Sequence, residues 1–281
     1  MEKQKICVIG GGLTGLITAT VLSKLNIKVD LIAGDVNQNV KSNRTIAISQ
    51  DNYDFLKELE IFKLSKKEFW PCAEMKLYAD TKKEAFTEIF KFNEKQAKNK
   101  RILYMVENSK IINLLIANIK KEKLISFKNQ ELVSVIISLG FLKGIKKDIN
   151  NSKYNLIILC TGSNSTLVKN IFNDQFLGHT YDETCVTTTL SHSSFNNIVA
   201  RQIFIDDEIL ALLPISNTKT SIVWSVKKNM IHKYEKNKSL DLKNKIMFYT
   251  KDFLKKVKFV TNLEYKDFCL VFFSNILSSE S

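Results

Sequence analysis

A short apolar run, Ile6-Cys7-Val8-Ile9, opens directly into Gly10-Gly11-Gly12-Leu13-Thr14-Gly15. The G-x-G-x-x-G spacing alone is a weak signal, but a strand entering it and a helix leaving it are the first βα unit of a dinucleotide-binding sheet. The first glycine permits a tight turn, the second brings backbone amides up to a pyrophosphate, and the third lets the helix pack close to the strand. The helix beginning here presents unpaired N–H groups and the positive end of its dipole, so an anion is favoured without a charged side chain. Gly10, Gly12, Leu13, Thr14 and Gly15 are therefore the candidate pyrophosphate contacts. Their surroundings agree: Leu13, Leu16, Ile17, Val21 and Leu25 recur at helical spacing, and Lys28-Val29-Asp30-Leu31-Ile32 reads as a second parallel strand.

Further along, residues 34–43 are polar and loop-like, and Arg44-Thr45-Ile46-Ala47-Ile48-Ser49 leads into a helix over 51–62. Residues 75–79 and 85–90 alternate as two strands of another sheet, and helical periodicity returns at Ile111, Ile112, Leu115, Ile116 and Ile119. Short strands follow at 124–127, 132–137 and 141–145. Leu156-Ile157-Ile158-Leu159-Cys160 is continuously apolar, as strands of a buried parallel sheet are, and ends at Thr161-Gly162-Ser163-Asn164, a second strand-to-helix junction. Residues 183–190, 198–205, 210–213 and 220–226 read as neighbouring strands of an antiparallel sheet. The expected fold is α/β, a Rossmann-like nucleotide-binding domain (1–71 and 101–178) interleaved with an antiparallel-sheet substrate domain (72–100 and 179–262), with 263–281 returning to the first.

Composition narrows the function classes. With 281 residues and 44% hydrophobic content the chain can bury a large core. No apolar stretch approaches the roughly 20 residues of a membrane span, and the first apolar run is too short for a signal-peptide core, so a cytoplasmic protein is expected. Cys7, Cys72, Cys160, Cys185 and Cys269 form no C-x-x-C pair and read as buried reduced thiols, without a metal site. Net charge is +13, yet only Arg44, Arg101 and Arg201 are arginine. A lysine-dominated excess without a recognition motif argues against nucleic acid. From Lys227 to Lys258 eleven lysines face three carboxylates, around an apolar stripe of Leu242, Ile246, Tyr249, Phe253 and Val257. That is a core-facing helix with a solvated lysine face, or a helix that adheres to an anionic membrane surface or an acidic partner. His179, His192 and His232 stand apart and read as structural, so no catalytic side chain is named.

The motifs together resemble the flavoprotein aromatic hydroxylases of the para-hydroxybenzoate hydroxylase fold, most closely the ubiquinone-biosynthesis ring hydroxylases. The likeness runs over nearly the whole chain: Gly10 to Gly15, Asn43-Arg44-Thr45-Ile46-Ala47-Ile48-Ser49, Tyr104-Met105-Val106-Glu107-Asn108, Leu159-Cys160-Thr161-Gly162, and in the sheet domain Ala200-Arg201-Gln202-Ile203-Phe204, Leu210-Ala211-Leu212-Leu213-Pro214-Ile215 and Val223-Trp224-Ser225. The resemblance implies bound FAD, reduction by NAD(P)H, and oxygen activation as a flavin C4a-hydroperoxide that hydroxylates a polyprenylated phenol in ubiquinone biosynthesis. It implies that Arg44 meets the cofactor's phosphate or ribose region, and that Thr161 and Gly162 approach the flavin nucleotide. A ubiquinone-synthesis complex is the partner the resemblance implies, and the lysine-rich helix face together with a polyprenyl substrate would hold the protein peripherally on the inner membrane face.

Departures from the family pattern bear on these expectations. The acid that holds the ribose hydroxyls at the end of the second strand is replaced by Ala33, leaving Asp35 as the nearby substitute. Thr161 stands where the family has an acid before glycine, and Val168-Lys169 near the place of its arginine. The family's later Gly-Asp motif has no counterpart before Ser281, so the sequence reads as a C-terminally truncated member. Alternative functions from other classes are a non-catalytic scaffold subunit of a ubiquinone-synthesis complex and a related flavin-dependent reductase.

Overall fold

Three largely apolar strands and a more polar fourth form a parallel sheet. β1 (Lys5–Ile9) lies between β2 (Lys28–Ala33) and β12 (Leu156–Leu159), with β8 (Ile125–Asn129) outside β2. The computed structural model describes residues 4–34, 44–58, 68–80, 86–95, 101–129, 135–138, 141–144, 152–162, 165, 167–168, 176–231 and 240–273. Asp35, His232, and the parts of the expected elements at 59–62 and 132–134 lie outside them.

α1 (Leu13–Lys24) follows the glycine turn, and its end is set by Asn26 in the left-handed region at φ 60°. There the Ile27 amide donates to the Leu22 carbonyl and the Asn26 amide to Ser23, the paired bonds of a Schellman cap. α3 (Asn108–Ile119) lies beside α1 on the same sheet face, and Leu16, Ala19, Ile111, Ile112 and Leu115 bury against Ile6, Val8, Val29 and Leu31. Each fully buried Leu or Ile contributes about 1.5–3 kcal/mol. The other face carries Cys7, Ile9 and Ile32 with Tyr154 and Leu167. Tyr154 directly follows a small antiparallel sheet of β9 (Val135–Ser138), β10 (Phe141–Gly144) and β11 (Ser152–Lys153).

A third sheet has the order β3 (Thr45–Ser49), β7 (Leu103–Glu107), β4 (Trp70–Cys72). α2 (Gln50–Glu58) is held to it by Tyr53, whose ring stacks on Tyr104 at 4.4 Å, and by a Tyr104 hydroxyl to Gln50 hydrogen bond of 3.1 Å.

The largest sheet has eight strands. Its main path is β17 (Lys258–Phe259), β13 (Phe176–Ser191), β16 (Lys219–Lys227), β15 (Glu208–Ser216), β14 (Val199–Ile205), β5 (Glu74–Asp80) and β6 (Phe86–Asn93), and β18 (Glu264–Phe273) also pairs with β13. The sheet is mixed rather than purely antiparallel, because β14 and β5 run parallel. Both strands enter at the same end, where the Ala73 amide donates to the Ile198 carbonyl at 2.9 Å. Residues 264–273, which the sequence pattern assigns to a return to the first domain, hydrogen-bond to β13 in register, with a shift between Thr180 and Thr184.

Alternation along these strands separates two faces. Val186, Leu190, Ile203, Leu210, Leu212, Ile222, Trp224 and Val226 face α4 (Leu240–Thr250), which buries Leu242 and Ile246 against them. The apolar stripe predicts a helix through Val257, but the helix stops at Thr250. Its hydroxyl donates back to the Ile246 carbonyl at 2.7 Å, and the Phe253 and Leu254 amides both turn to the Thr250 carbonyl. Phe253 and Val257 reach the same core from this turn. On the opposite face Ala200, Leu213 and Ile215 pack against Cys72, Met105, Trp70 and Leu103, which joins the large sheet to the β3-β7-β4 sheet. The Trp70 indole N–H donates to the Asn197 carbonyl at 2.7 Å across that joint.

Candidate nucleotide-binding site

The chain passes from β1 to β2 on one side, while β12 pairs on the other, so the carboxyl ends of β1 and β12 flank a topological switch point. Open parallel sheets bind ligands in the crevice at that place. Two loops meet there, the glycine turn after β1 and Cys160-Thr161-Gly162 after β12. The Cys160 amide donates to the Ile9 carbonyl at 2.7 Å, and the Gly10 amide to Ile32 at 2.8 Å.

Their closeness leaves no room for side chains at two positions. Gly10 has φ +128°, and a Cβ there would stand 2.2 Å from the Cys160 carbonyl oxygen. A Cβ on Gly15 would stand 2.0 Å from the Gly10 carbonyl oxygen, which is how α1 is drawn against the strand. Gly12 is different: its backbone is extended (φ −77°, ψ 176°), and a Cβ would meet nothing within 4 Å. Steric demand inside the protein therefore does not account for glycine at 12, whereas a ligand lying close over the backbone does.

Gly12 is the N-cap of α1, no side chain caps the helix, and no acid sits in its first turn. The amide end stays available to an anion. Leu13 packs its side chain into the core, so only its backbone faces the site, and Thr14 is exposed on the first turn. Beside the turn, Gly162 takes φ +80° and the Thr161 hydroxyl is buried without a hydrogen-bond partner. Gly10, Gly12, Leu13, Thr14, Gly15, Thr161 and Gly162 thus gather at one place. A pyrophosphate-bearing dinucleotide such as FAD fits this donor set: open space over Gly12, a bare helix terminus, and an orphaned hydroxyl at its edge.

Arg44 opens β3, and its carbonyl accepts the Asn108 amide at 2.8 Å. Its guanidinium lies near Cys185 of the large sheet. Burial pushes the Cys185 thiol up, and the charges of Arg44 and Lys266 partly oppose that. Arg44 therefore stands where the β3-β7-β4 sheet meets the large one.

Between those sheets lie residues that the sequence did not single out. Thr45 pairs with Glu107 and shares the face of Met105, while Ser221 pairs with Leu213, and Met105 and Leu213 both belong to the joining layer. Thr187, two residues from Cys185, is on the Ser221 face. The hydroxyls of Thr45, Thr187 and Ser221 are all buried without partners. Alternating Ser and Thr in apolar strands was the signal available for them, but the register decides which of these hydroxyls point inward.

A second polar group was also missed. Asp30 is buried in β2, and its carboxylate accepts from the Tyr154 hydroxyl (2.7 Å) and Lys5 (2.9 Å), with Lys128 at 3.4 Å. Burial alone would raise its pKa, but these hydrogen bonds and the lysine charges hold it below the ordinary carboxylate value. The neighbouring Cys7 thiol is pushed up to about 12, first by burial and then by the Asp30 charge, so it is inert. His192 is structural: its Nδ1 meets the Ser193 carbonyl and its Nε2 the Thr220 hydroxyl, each at 2.9 Å. Among the described residues no cluster of His, Cys, Asp and Glu is arranged to hold a metal.

No protein-family model matches the chain, and no curated protein is significantly similar in sequence. Solved structures share its fold. A 2-methyl-3-hydroxypyridine-5-carboxylic acid oxygenase superposes with a TM-score of 0.72 at 13% identity, over 98% of this chain and 72% of its own. The p-nitrophenol 4-monooxygenase PnpA from Pseudomonas putida gives 0.70 at 15% identity, over 96% and 69%. A variant of Klebsiella pneumoniae HpxO complexed with FAD gives 0.62 at 14%, over 80% and 57%. The α/β architecture expected from the sequence is thus the observed one, and it is the fold of these oxygenases.

Proposed function

We propose that this chain is an FAD-dependent monooxygenase that uses NAD(P)H and molecular oxygen to hydroxylate the ring of a polyprenylated phenol, at the stage of ubiquinone synthesis that its sequence resembles. The observation that carries the cofactor reading is Gly12: space held open in front of a bare helix terminus, in a fold shared with a protein crystallised with FAD. When bound, the flavin supplies the electron transfer and the oxygen activation. The chain's own part is positional. Amides of Gly12 to Gly15 hold the diphosphate, and Thr161 and Gly162 border the nucleotide. Arg44 adds a charge-assisted contact near the meeting of the two sheets.

Support for the substrate class comes from the sheet face opposite α4. Its groups at the joint include the neutral Thr187 and Ser221 beside Leu213 and Ile215, which suits a phenol with a hydrocarbon tail. The Leu210-to-Ser225 block carries the sequence resemblance to the ubiquinone group. A bilayer-borne substrate of this kind would require work at a membrane surface, with the other enzymes of a ubiquinone-synthesis complex as natural partners.

The test is turnover. The purified chain, supplied with FAD, should oxidise NADH or NADPH faster when a prenylated phenol is added, and should yield a product heavier by one oxygen atom. NAD(P)H oxidation that ignores every phenol offered, with no oxygenated product, contradicts the reading.

A further inference from the structure

We propose that the outer side of α4 and the segment after it form a docking surface for an anionic lipid bilayer. This surface is on the side of the large sheet turned away from the joint with β4 and β7, and it does not depend on the catalytic reading. Two observations coincide on it. The first is charge: residues 242–260 hold six lysines and a single carboxylate, Asp252. Several lysines elsewhere on the molecule are matched, as in Lys24 with Glu122, Lys76 with Glu88, Lys91 with Glu74, and Lys227 with Asp207. Lys251, Lys255, Lys256 and Lys258 are exposed, and among the described residues no carboxylate stands in salt-bridge range of them.

The second observation is apolar exposure in the same place. Met247 and Phe248, in the last turn of α4, are 45% and 47% exposed, and Val260 is 48% exposed. The Lys251 ammonium stands 4.1 Å over the Phe248 ring, and Lys243 is 5.5 Å over Phe259, which ties the helix to the returning segment. A solvated lysine face explains the charges alone, but it does not call for exposed Met and Phe among them. Side chains that pair an apolar body with a cationic head, ringed by unmatched lysines, suit the headgroup and acyl boundary of an anionic membrane. Lysine rather than arginine also fits a diffuse negative surface better than one that must be read bidentately. Among the described residues no helix is long and apolar enough to cross a membrane, so the contact is one of lying on the surface.

Flotation of the full chain with vesicles tests this. With phosphatidylglycerol in phosphatidylcholine the protein should float, and with phosphatidylcholine alone it should stay at the bottom; 0.5 M salt should release it (about 4 Å screening length). The double variant Lys255→Glu, Lys256→Glu should lose at least about tenfold in binding, since each lysine near a charged surface is worth roughly fivefold. Phe248→Ser should lose about fivefold while keeping the salt dependence. Both variants alter exposed side chains, so melting temperature and FAD uptake should match the wild type. Equal flotation with neutral and anionic vesicles, wild-type binding by the variants, or binding to heparin without binding to anionic vesicles would each overturn the proposal.

Discussion

Around Asp30 the polar atoms that β2 buries have been matched from three other places in the chain, Lys5, Lys128 and Tyr154, whereas the hydroxyls of Thr45, Thr161, Thr187 and Ser221 are buried with nothing to bond. An unmatched buried hydroxyl costs about 1–3 kcal/mol unless a water or a ligand completes it. The difference is the one expected if the Asp30 cluster holds the fold and the orphan hydroxyls are completed by a bound ligand. Asp30 fastens β1, β2 and β8 beneath Tyr154. The orphan hydroxyls lie beside the glycine turn and at the joint between the β3-β7-β4 sheet and the large sheet, where cofactor and substrate are proposed to bind.

The contrast breaks most visibly if the fold-holding side is attacked. Gly10→Ala or Gly15→Ala drives a methyl into backbone and should cost on the order of 4 kcal/mol in urea unfolding; near-wild-type stability would mean the turn is looser than it looks. Asp30→Ala leaves two lysines and a tyrosine unmatched and should cost about 3 kcal/mol. The same carboxylate imposes a pH dependence. Its folded-state pKa lies below the unfolded value, so its contribution is complete at neutral pH and is lost as pH falls through the folded value, below about 4. The urea midpoint of the wild type should therefore drop more between pH 7 and pH 3 than that of Asp30→Asn.

On the ligand-demanding side the effects are smaller and of a different kind. Thr161→Val removes a hydroxyl that nothing in the chain satisfies, so stability should hold while the FAD dissociation constant rises about fivefold, one hydrogen bond's worth. Ser221→Ala should be neutral or stabilising by up to about 1 kcal/mol in the ligand-free protein, read by thermal melting. A clear loss of stability in Ser221→Ala would show that the hydroxyl is engaged within the fold, and would move Ser221 to the Asp30 side of the comparison.

These two regions were not equally legible. The glycine turn could be read because its demands are local: a tight φ at residue 10, a close approach at 15, and helical spacing immediately after. β12 was legible for the same reason, being continuously apolar. Asp30 was visible as a carboxylate in an apolar strand, but its partner Tyr154 lies 124 residues away, and no pattern links the two. The parallel pairing of β5 with β14 escaped the sequence because it depends on where two distant segments enter the sheet. The early end of α4 escaped because Thr250 turns the chain while Phe253 and Val257 keep the apolar spacing of a helix. Which hydroxyls face the joint between the sheets is a matter of register, and a shift of one residue would reverse it.

Gly12→Ala tests the central claim most directly, because the position is sterically empty within the protein and is proposed to be filled only by a dinucleotide. Titrating FAD into the wild type and the variant, followed by the flavin's visible spectrum and by thermal melting, should show saturable binding to the wild type and affinity at least about tenfold weaker in the variant (a loss of roughly 1.4 kcal/mol), with the ligand-free melting temperatures nearly the same. Equal affinity in the two proteins, or no flavin bound by either, would contradict the account.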